Sequence, residues 1–164
     1  MTIHRKTKKQ YLTICAFLVL AALFTTALSA AGLSGDQPRR IRFELRLASY
    51  EKMDGWKSVP GPYAAKTDIW ISPEAALTNA ELARAWPQPD GDGFSVGFLL
   101  TEEGALKLAR LTKSHVGEFV AVMLDGRVVS APKIMAEITG GRAFIQGKLN
   151  EEEARSIAEG ITVK

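Results

Sequence analysis

The clearest pattern of apolar and polar positions lies between residues 117 and 147. Residues 119–124 form an unbroken apolar run, Asp125-Gly126 follows, and the strand-forming sequence resumes at Arg127-Val128-Val129. Because Asp-Gly readily adopts the positive φ angles of a two-residue turn, this stretch predicts a β-hairpin. Ala131-Pro132 then ends the second strand, since proline cannot donate a hydrogen bond to a ladder.

A further alternation follows the hairpin. Ile134, Ala136 and Ile138 fall on one face of an extended chain, and the polar residues between them fall on the other. This pattern predicts another strand, and Gly140-Gly141 then turns the chain into a strand at 142–146. The whole stretch is therefore expected to supply three or four antiparallel strands with one covered face.

The chain before this stretch predicts three more strands. Residues 41–47 alternate between apolar and charged side chains, which is typical of a half-buried strand. Residues 67–72, with the apolar core Ile69-Trp70-Ile71 and Pro73 at their end, and the mainly apolar residues 94–100 also predict short strands. Between them, residues 48–66 are rich in Gly, Pro, Ser, Lys and Asp and indicate a long loop or a loose hairpin.

Three helices are predicted from capping signals. Thr78 and Glu81 form a capping box ahead of a helix that Pro87 would stop. Thr101 caps a second helix, and Asn150 caps a third. With the strands, this order predicts an α+β domain whose mixed, mostly antiparallel sheet has about three helices packed on one face.

The N-terminal residues have the layout of a targeting segment. Four basic residues precede an apolar run at 12–28, and small residues follow it. This predicts a signal peptide at 1–31, with an uncleaved anchor as the alternative that would bring the chain to a membrane. Residues 32–40 are then a linker, and 41–164 form a single domain exported to the periplasm or the outer face of the inner membrane.

Composition changes the picture once the leader is set aside. The net charge is +3, but the first 35 residues hold four of the 21 basic side chains and none of the 18 acidic ones. The remainder is close to neutral, so no basic surface argues for a nucleic-acid partner. The one cysteine, Cys15, lies in the leader, so the exported part is expected to fold without disulfides.

No residue pattern makes a strong case for catalysis. Residues 93–97 match G-x-S-x-G, but Ser95 would stand inside a strand, whereas that motif needs a helix directly after the serine. His115 follows a predicted helix end, where the helix dipole explains a cation. Metal-ligand spacings and a phosphate-binding loop are absent from the sequence, so we expect no cofactor, no metal and no enzymatic activity.

Several short strings together resemble a known family. These are LTEEGALKLARLT at 100–112, LDG at 124–126, SAP at 130–132 and the GG of ITGGRAFIQG at 140–141. Their combination and spacing are similar to the head subdomain of the first periplasmic domain of SecD, an accessory subunit of the bacterial Sec protein translocase. The similarity is tight over residues 94–161 and looser back to about residue 41.

The resemblance implies a function in protein contact. In that family the head projects from the outer face of the membrane and is thought to engage the emerging preprotein, while separate membrane helices use the proton gradient. We therefore expect a standalone, non-enzymatic exported binding module whose partner is a polypeptide or protein, such as a translocating preprotein or Sec components. The expected contact residues are Trp56, Tyr63, Asp125, Gly126, Ala131 and Pro132.

Two other functions stay open at this point. The same fold can serve as a structural scaffold in an envelope assembly without any role in translocation, because fold does not fix function. A large apolar surface patch would favour the binding module, whereas a uniformly charged surface would favour the scaffold. A hydrolase using Ser95 is the third and weakest interpretation.

Overall fold

The computed structural model describes residues 39–62 and 67–162. The predicted leader at 1–31, most of the predicted linker and Tyr63 lie outside the described residues. The described residues belong to one structural unit, residues 38–164. Its elements, in chain order, are β1 (Phe43–Ser49), β2 (Lys57–Pro60), β3 (Asp68–Ile71), β4 (Leu77–Thr78), β5 (Leu82–Asp90), β6 (Gly93–Leu100), α1 (Glu102–Ser114), β7 (Phe119–Leu124), β8 (Arg127–Ser130), β9 (Arg142–Leu149) and α2 (Glu151–Thr162).

The strands form two sheets, and every ladder in the described part is antiparallel. The larger sheet has the order β2-β3-β1-β7-β8, with β4 beside β1. The smaller sheet has the order β5-β6-β9. In the larger sheet the longest ladder joins β1 to β7, and its register runs from Phe43 opposite Leu124 to Ala48 opposite Phe119.

The main core lies where the two sheets and both helices meet. Phe43 of the larger sheet packs edge-on against Phe98 of the smaller one, with ring centroids 5.3 Å apart. Helix α1 contributes Leu108, and α2 contributes Ala154, Ala158 and Ile161. The other buried members of this cluster are Leu45, Leu77, Leu82, Val96, Leu100, Val120, Val122, Ile134 and Ile145.

A second core occupies the opposite face of the larger sheet. Its buried members are Ala48, Ile69, Ile71, Ala121, Met123 and Val128. The edge strands β2 and β8 approach each other although they are at opposite ends of the strand order. The sheet therefore bends around this second core, and no helix is needed to cover it.

Several predicted elements are confirmed. The central hairpin turns at Asp125 (φ 48°) and Gly126 (φ 80°), which are the left-handed angles expected of Asp-Gly. The Thr101 side chain accepts a hydrogen bond from Gly104 N–H and begins α1, and Asn150 and Glu153 cap each other reciprocally at the start of α2. Of the region 48–66, residues 50–56 form a loop, and residues 57–60 form strand β2, whose partner β3 lies beyond the end of the region.

The first predicted helix is wrong. The capping box at Thr78 and Glu81 is present, but it closes only a 3₁₀ turn at Asn79–Glu81, and residues 82–90 continue as strand β5. A helix stopped by Pro87 would have about two turns, which is too short to be stable without packing, and proline disfavours the helical conformation of the residue before it. The described part of the chain therefore contains two α-helices and not about three.

The strand predicted directly after the hairpin, at residues 134–138, is also wrong. Ile134 is buried, but Ala136 and Ile138 are exposed, and residues 134–140 form no regular strand. Only Lys133 makes an isolated bridge, to Phe119. Pro132 has no N–H to extend the ladder, and the backbone of Ile138 instead donates to the side chain of Thr112.

The side-chain amide of Asn79 joins three parts of the chain. Its Nδ2 donates to the carbonyl oxygens of Ile41 (2.9 Å) and Ile161 (2.8 Å), and its Oδ1 accepts from the N–H of Phe43 (2.9 Å). The N–H of Ile41 also donates to the carbonyl of Gly160 at 2.9 Å. The start of β1 is thereby held against the end of α2.

The carboxylate of Glu81 lies at the junction between this turn and α1. It accepts from the backbone and hydroxyl of Thr78 and from Lys107 Nζ at 2.8 Å. Burial acts to raise the pKa of Glu81, but the hydrogen bonds from Lys107 and Thr78 outweigh it and hold the pKa below its ordinary value. The same hydrogen bond, with a second one to Glu103, raises the pKa of Lys107.

Within residues 39–62 and 67–162, no helix combines the length and the apolar character that a membrane crossing requires.

Replacing Asn79 by alanine is expected to lower the free energy of unfolding by roughly 2–3 kcal/mol, because three hydrogen bonds worth about 1 kcal/mol each are lost. Urea denaturation at pH 7 measures the change. Gln88→Ala is the control, since the amide of Gln88 makes only longer bonds of 3.3 and 3.5 Å. Equal destabilisation by the two substitutions would contradict the joining role of Asn79.

Glu81→Gln is expected to lower the free energy of unfolding by about 1 kcal/mol at pH 7, a value typical of the loss of a capping hydrogen bond. The pKa of Glu81 is lower in the folded protein than in the unfolded chain, where it is near 4.5, so the ionised carboxylate stabilises the fold at pH values above 4.5. That contribution is lost as the pH falls through the folded-state pKa. Between pH 7 and pH 3 the native chain should therefore lose more stability than the variant, as measured by urea denaturation at both pH values.

The control for this change is Glu103→Gln. Glu103 pairs with the same lysine at 2.9 Å, but its side chain is 75% exposed. Exposed pairs of this spacing contribute about 0.3–0.5 kcal/mol, so the control should change stability little at either pH. If both glutamine variants show the same pH dependence, Glu81 has no special part in acid stability.

Candidate functional site

An apolar groove lies beside the segment that was expected to be a strand. Its volume is about 350 Å³, and its walls come from β1, β6, α1, β7, β9 and residues 132–138. The residues that line it are Leu45, Phe98, Leu108, Thr112, Val120, Val122, Pro132, Lys133, Ile134, Met135, Ala136, Glu137, Ile138, Ala143 and Phe144. Lys133 and Glu137 are the charged members of this set, and most of the others are apolar.

The segment 132–138 is fixed at both ends. At its start, Val120 N–H donates to Pro132 O at 3.0 Å and Ile134 N–H donates to Glu118 O at 2.8 Å. At its end, Ile138 N–H donates to the hydroxyl of Thr112 at 2.9 Å. The buried Thr112 hydroxyl in turn donates to Leu108 O at 2.8 Å. The segment therefore forms a defined wall of the groove.

Three large apolar side chains stand exposed around the groove. Met135 is 79% exposed, Phe144 46% and Ile138 38%. Clustered exposed apolar side chains are typical of interaction sites, because a soluble domain gains nothing from leaving them in water. Of the residues predicted from sequence, Pro132 lies in this groove.

The other predicted contact residues lie elsewhere. Ala131 is half-buried and packs against the second core. Asp125 and Gly126 lie at the opposite end of β8, at the hairpin turn. The Asp125 carboxylate accepts from Arg39 Nη2 and from the backbone N–H of Arg42, both at 3.0 Å. Asp125 thus stabilises the entry to β1, and its role in partner contact stays a prediction.

Of the two aromatic residues at 48–66 that were predicted to contact a partner, the structure describes Trp56. Trp56 is half-buried, and its backbone N–H donates to Met53 O at 3.2 Å in the turn before β2. Tyr63 lies outside the described residues. Contact with a partner through these two side chains stays a prediction.

The residues considered for catalysis have structural partners. Ser95 is 3% exposed within β6, seven residues before α1 begins at Glu102, and its hydroxyl donates to Gln88 O at 3.5 Å. His115 Nδ1 lies 2.8 Å from Leu111 O at the end of α1. In the part of the chain that the structure describes, no three His, Cys, Asp or Glu side chains are arranged to hold a metal ion.

Sequence reasoning missed Met135, Ile138 and Phe144 as groove residues. Ile138 had been assigned to a covered strand face, and Met135 was given no role. A usable signal was present at 143–145, where Ala143, Phe144 and Ile145 are all apolar, so both faces of the strand carry apolar side chains. Such a strand either lies between two layers or leaves one apolar face exposed.

Comparison with known proteins gives one consistent result. The sequence profile of the SecDF P1 head subdomain matches residues 57–162. SecD of Sebaldella termitidis is 40% identical over 83 residues, covering 50% of this chain and 20% of the relative. SecDF of Thermus thermophilus is 45% identical over 83 residues, covering 50% of this chain and 11% of the relative. The chain thus spans about a fifth or less of these relatives.

Solved structures agree with the sequence comparison. A structure of SecDF, described as a membrane component that enhances protein export, matches with a TM-score of 0.63 and 28% identity over 80% of this chain and 70% of that one. A crystal structure of SecDF in a super-membrane-facing form matches with a TM-score of 0.62 and 28% identity, over 82% of this chain and 21% of that one.

Proposed function

The chain belongs to the SecDF P1 head subdomain family, and on this premise we propose that it is a non-enzymatic, exported module that binds apolar stretches of extended polypeptide during or after protein export. The observation that carries the proposal is the apolar groove bordered by Met135, Ile138 and Phe144. Translocase subunits handle chains that have not yet buried their apolar residues, which is the chemistry this groove would recognise.

The size of the groove supports a short segment as its occupant. A volume of about 350 Å³ is near the lower end of the roughly 300–1,000 Å³ typical of ligand pockets, so it has room for a few side chains and not for a folded domain. Its walls offer mostly apolar atoms. Affinity should therefore follow the apolar content of the segment and not its exact sequence.

Strand β9 supplies a second mode of contact beside the groove. It ends the smaller sheet, where it pairs only with β6 among the described strands. Ala143 and Phe144 of this strand also line the groove. An extended segment could therefore add to the strand edge through its backbone while its side chains enter the groove.

The exposed apolar cluster favours this function over a structural scaffold. A scaffold would be expected to present a charged surface or a sheet edge already paired to another subunit. Met135, at 79% exposure on a segment fixed at both ends, is instead available to a partner. Binding a transient chain also requires a site that is formed in advance and empties easily, which a fixed, open groove provides.

Site-specific photocrosslinking in cells tests the proposal. The full chain with p-benzoylphenylalanine in place of Met135 is expected to form adducts with a defined, epitope-tagged secretory precursor while that precursor is being exported. The matched control carries the same group in place of Leu106, which is 57% exposed on α1 and outside the groove lining. Adducts are expected at position 135 and not at position 106.

A second substitution links the adducts to the groove. Adding Ile138→Asp should lower the adduct yield at position 135 about tenfold, because a carboxylate would lose hydration in an apolar site. Equal yields at 135 and 106, or no adduct during active export, would contradict the proposal. Adducts confined to one stoichiometric envelope subunit would instead support the scaffold.

A further inference from the structure

We propose that the open face of the smaller sheet is a second binding site, which takes an acidic segment of a protein partner through Arg84, Trp86 and Arg142. This site adjoins the apolar groove, with Phe144 common to both, but Arg84, Trp86 and Arg142 lie outside the groove lining, and the site does not depend on the groove's function. The charged and aromatic side chains are brought together by strand register alone.

Two cross-strand rows define this face. In the first row, Arg84 of β5 pairs with Leu99 of β6, and Leu99 pairs with Arg142 of β9. In the next row, Trp86 pairs with Gly97, and Gly97 pairs with Phe144. Directly paired residues, and residues two apart along a strand, share one face of a sheet. Two arginines and two aromatic residues therefore occupy the same face.

This face points away from the main core. The intervening residues Ala85, Phe98 and Ala143 belong to the opposite face and pack in or against the core. On the open face, Arg84 and Arg142 are exposed, Leu99 and Trp86 are half-buried, and Phe144 is 46% exposed. The side chains are thus accessible to a partner in the described domain.

The two guanidinium groups converge on one indole ring. The Cζ atom of Arg84 lies 5.0 Å from the ring centroid of Trp86, and that of Arg142 lies 5.3 Å from the same centroid. These distances are within the roughly 6 Å at which a cation is attracted to an aromatic face. Arg84 and Arg142 come from the two edge strands, so the indole holds together two charges that would otherwise repel each other.

The indole itself is held in place. It lies over Gly97, where an added Cβ would be 2.6 Å from ring atom Cε2, so only glycine leaves room for the ring. Its Nε1 donates to Gln88 Oε1 at 3.3 Å. A ring fixed in this way positions both arginines before any ligand arrives, which lowers the entropy lost on binding.

Both guanidinium groups are free to accept an anionic ligand. In the described part of the chain, neither Arg84 nor Arg142 takes part in an ion pair, whereas Arg39, Arg46 and Arg155 each have a carboxylate partner. A guanidinium offers a fork of N–H donors that matches a carboxylate in a bidentate arrangement. Two such forks beside the Trp86 ring suit two carboxylates with an apolar side chain nearby.

Peptide geometry fits this spacing. Both Cζ atoms lie within 5.3 Å of one centroid, so they are close enough to meet side chains on one face of a single extended strand. Alternate residues of such a strand are roughly 6.8 Å apart. An acidic segment with carboxylates at alternate or near-alternate positions can therefore reach both arginines.

The charge of the whole domain favours a short acidic segment over an extended polyanion. Beyond residue 35 the chain holds 17 basic and 18 acidic side chains, so a nucleic acid or an anionic membrane would meet no general attraction. Two arginines on an otherwise balanced surface are suited to a local feature, and acidic segments on protein partners provide one.

Fluorescence anisotropy of a labelled peptide tests the proposal. The full 164-residue chain, kept soluble in an uncharged detergent, is titrated into an extended peptide of alternating Glu and Leu, and into a matched peptide of alternating Gln and Leu. The Glu peptide is expected to bind more tightly by at least tenfold, and its binding should weaken as salt is raised.

The variants separate this site from general charge and from the groove. Arg84→Ala and Arg142→Ala should each weaken binding about tenfold, and the corresponding lysine variants should lose less, because they keep the charge but not the fork. Arg127→Ala removes an exposed arginine on the larger sheet and should have no effect. Met135→Asp disrupts the groove and should also leave the Glu peptide bound.

Several outcomes would overturn the proposal. These are equal binding of the two peptides, equal weakening by Arg127→Ala, or loss of binding on Met135→Asp. Micelles containing phosphatidylglycerol and solutions of inorganic phosphate serve as competitors. If either displaces the Glu peptide at much lower concentration than free acidic peptide does, with the same dependence on Arg84 and Arg142, the site takes a phosphate group and not a protein segment.

Discussion

Both faces of strand β7 are buried against a hydrophobic core, and the rest of the domain depends on that constraint. Val120 and Val122 point into the main core, while Ala121 and Met123 point into the second one. Both edges of the strand are paired, with β1 on one side and β8 on the other. A shift of register by one residue would exchange the two sets of side chains and misfill both cores. The turn at Asp125 and Gly126 therefore sets the register between β7 and β8, and this register decides which side chains enter each of the two cores.

The groove is a consequence of how the chain leaves this hairpin. After β8, Pro132 interrupts the ladder, yet its carbonyl and the backbone of Ile134 remain bonded to the start of β7. The segment then crosses to α1, where Thr112 holds Ile138. Between those two attachments no residue is needed for the core, so Met135 can be exposed on a backbone that the core itself positions. An open apolar surface and a well-packed domain are thus compatible in one chain.

Local signals predicted much of the fold, and the errors have a common physical cause. Asp125-Gly126, Thr101 and Asn150 were read correctly because each has a backbone role that neighbouring residues satisfy on their own. The capping box at Thr78 was also real, but a cap does not set the length of a helix, and Pro87 and Pro89 suit the edge strand that β5 forms. Alternation at 134–138 predicted a strand, but Pro132 has no N–H to continue the ladder, and the backbone N–H of Ile138 donates to the side chain of Thr112 instead. Of the site, Pro132 could be predicted, whereas the groove and the row of Arg84, Leu99 and Arg142 depend on strand register, which no single segment encodes.

The two proposed sites suit different kinds of partner because they are built differently. The groove is walled by an irregular segment and recognises apolar atoms, which any unfolded chain offers, so contacts there can exchange as a chain moves. The open sheet face is carried on regular strands, and its central ring is held over Gly97 with room for no larger residue. Directional bonds to carboxylates on such a rigid base favour one orientation of one partner. A module that carries both surfaces can stay attached to a fixed acidic segment while its groove binds and releases a passing polypeptide.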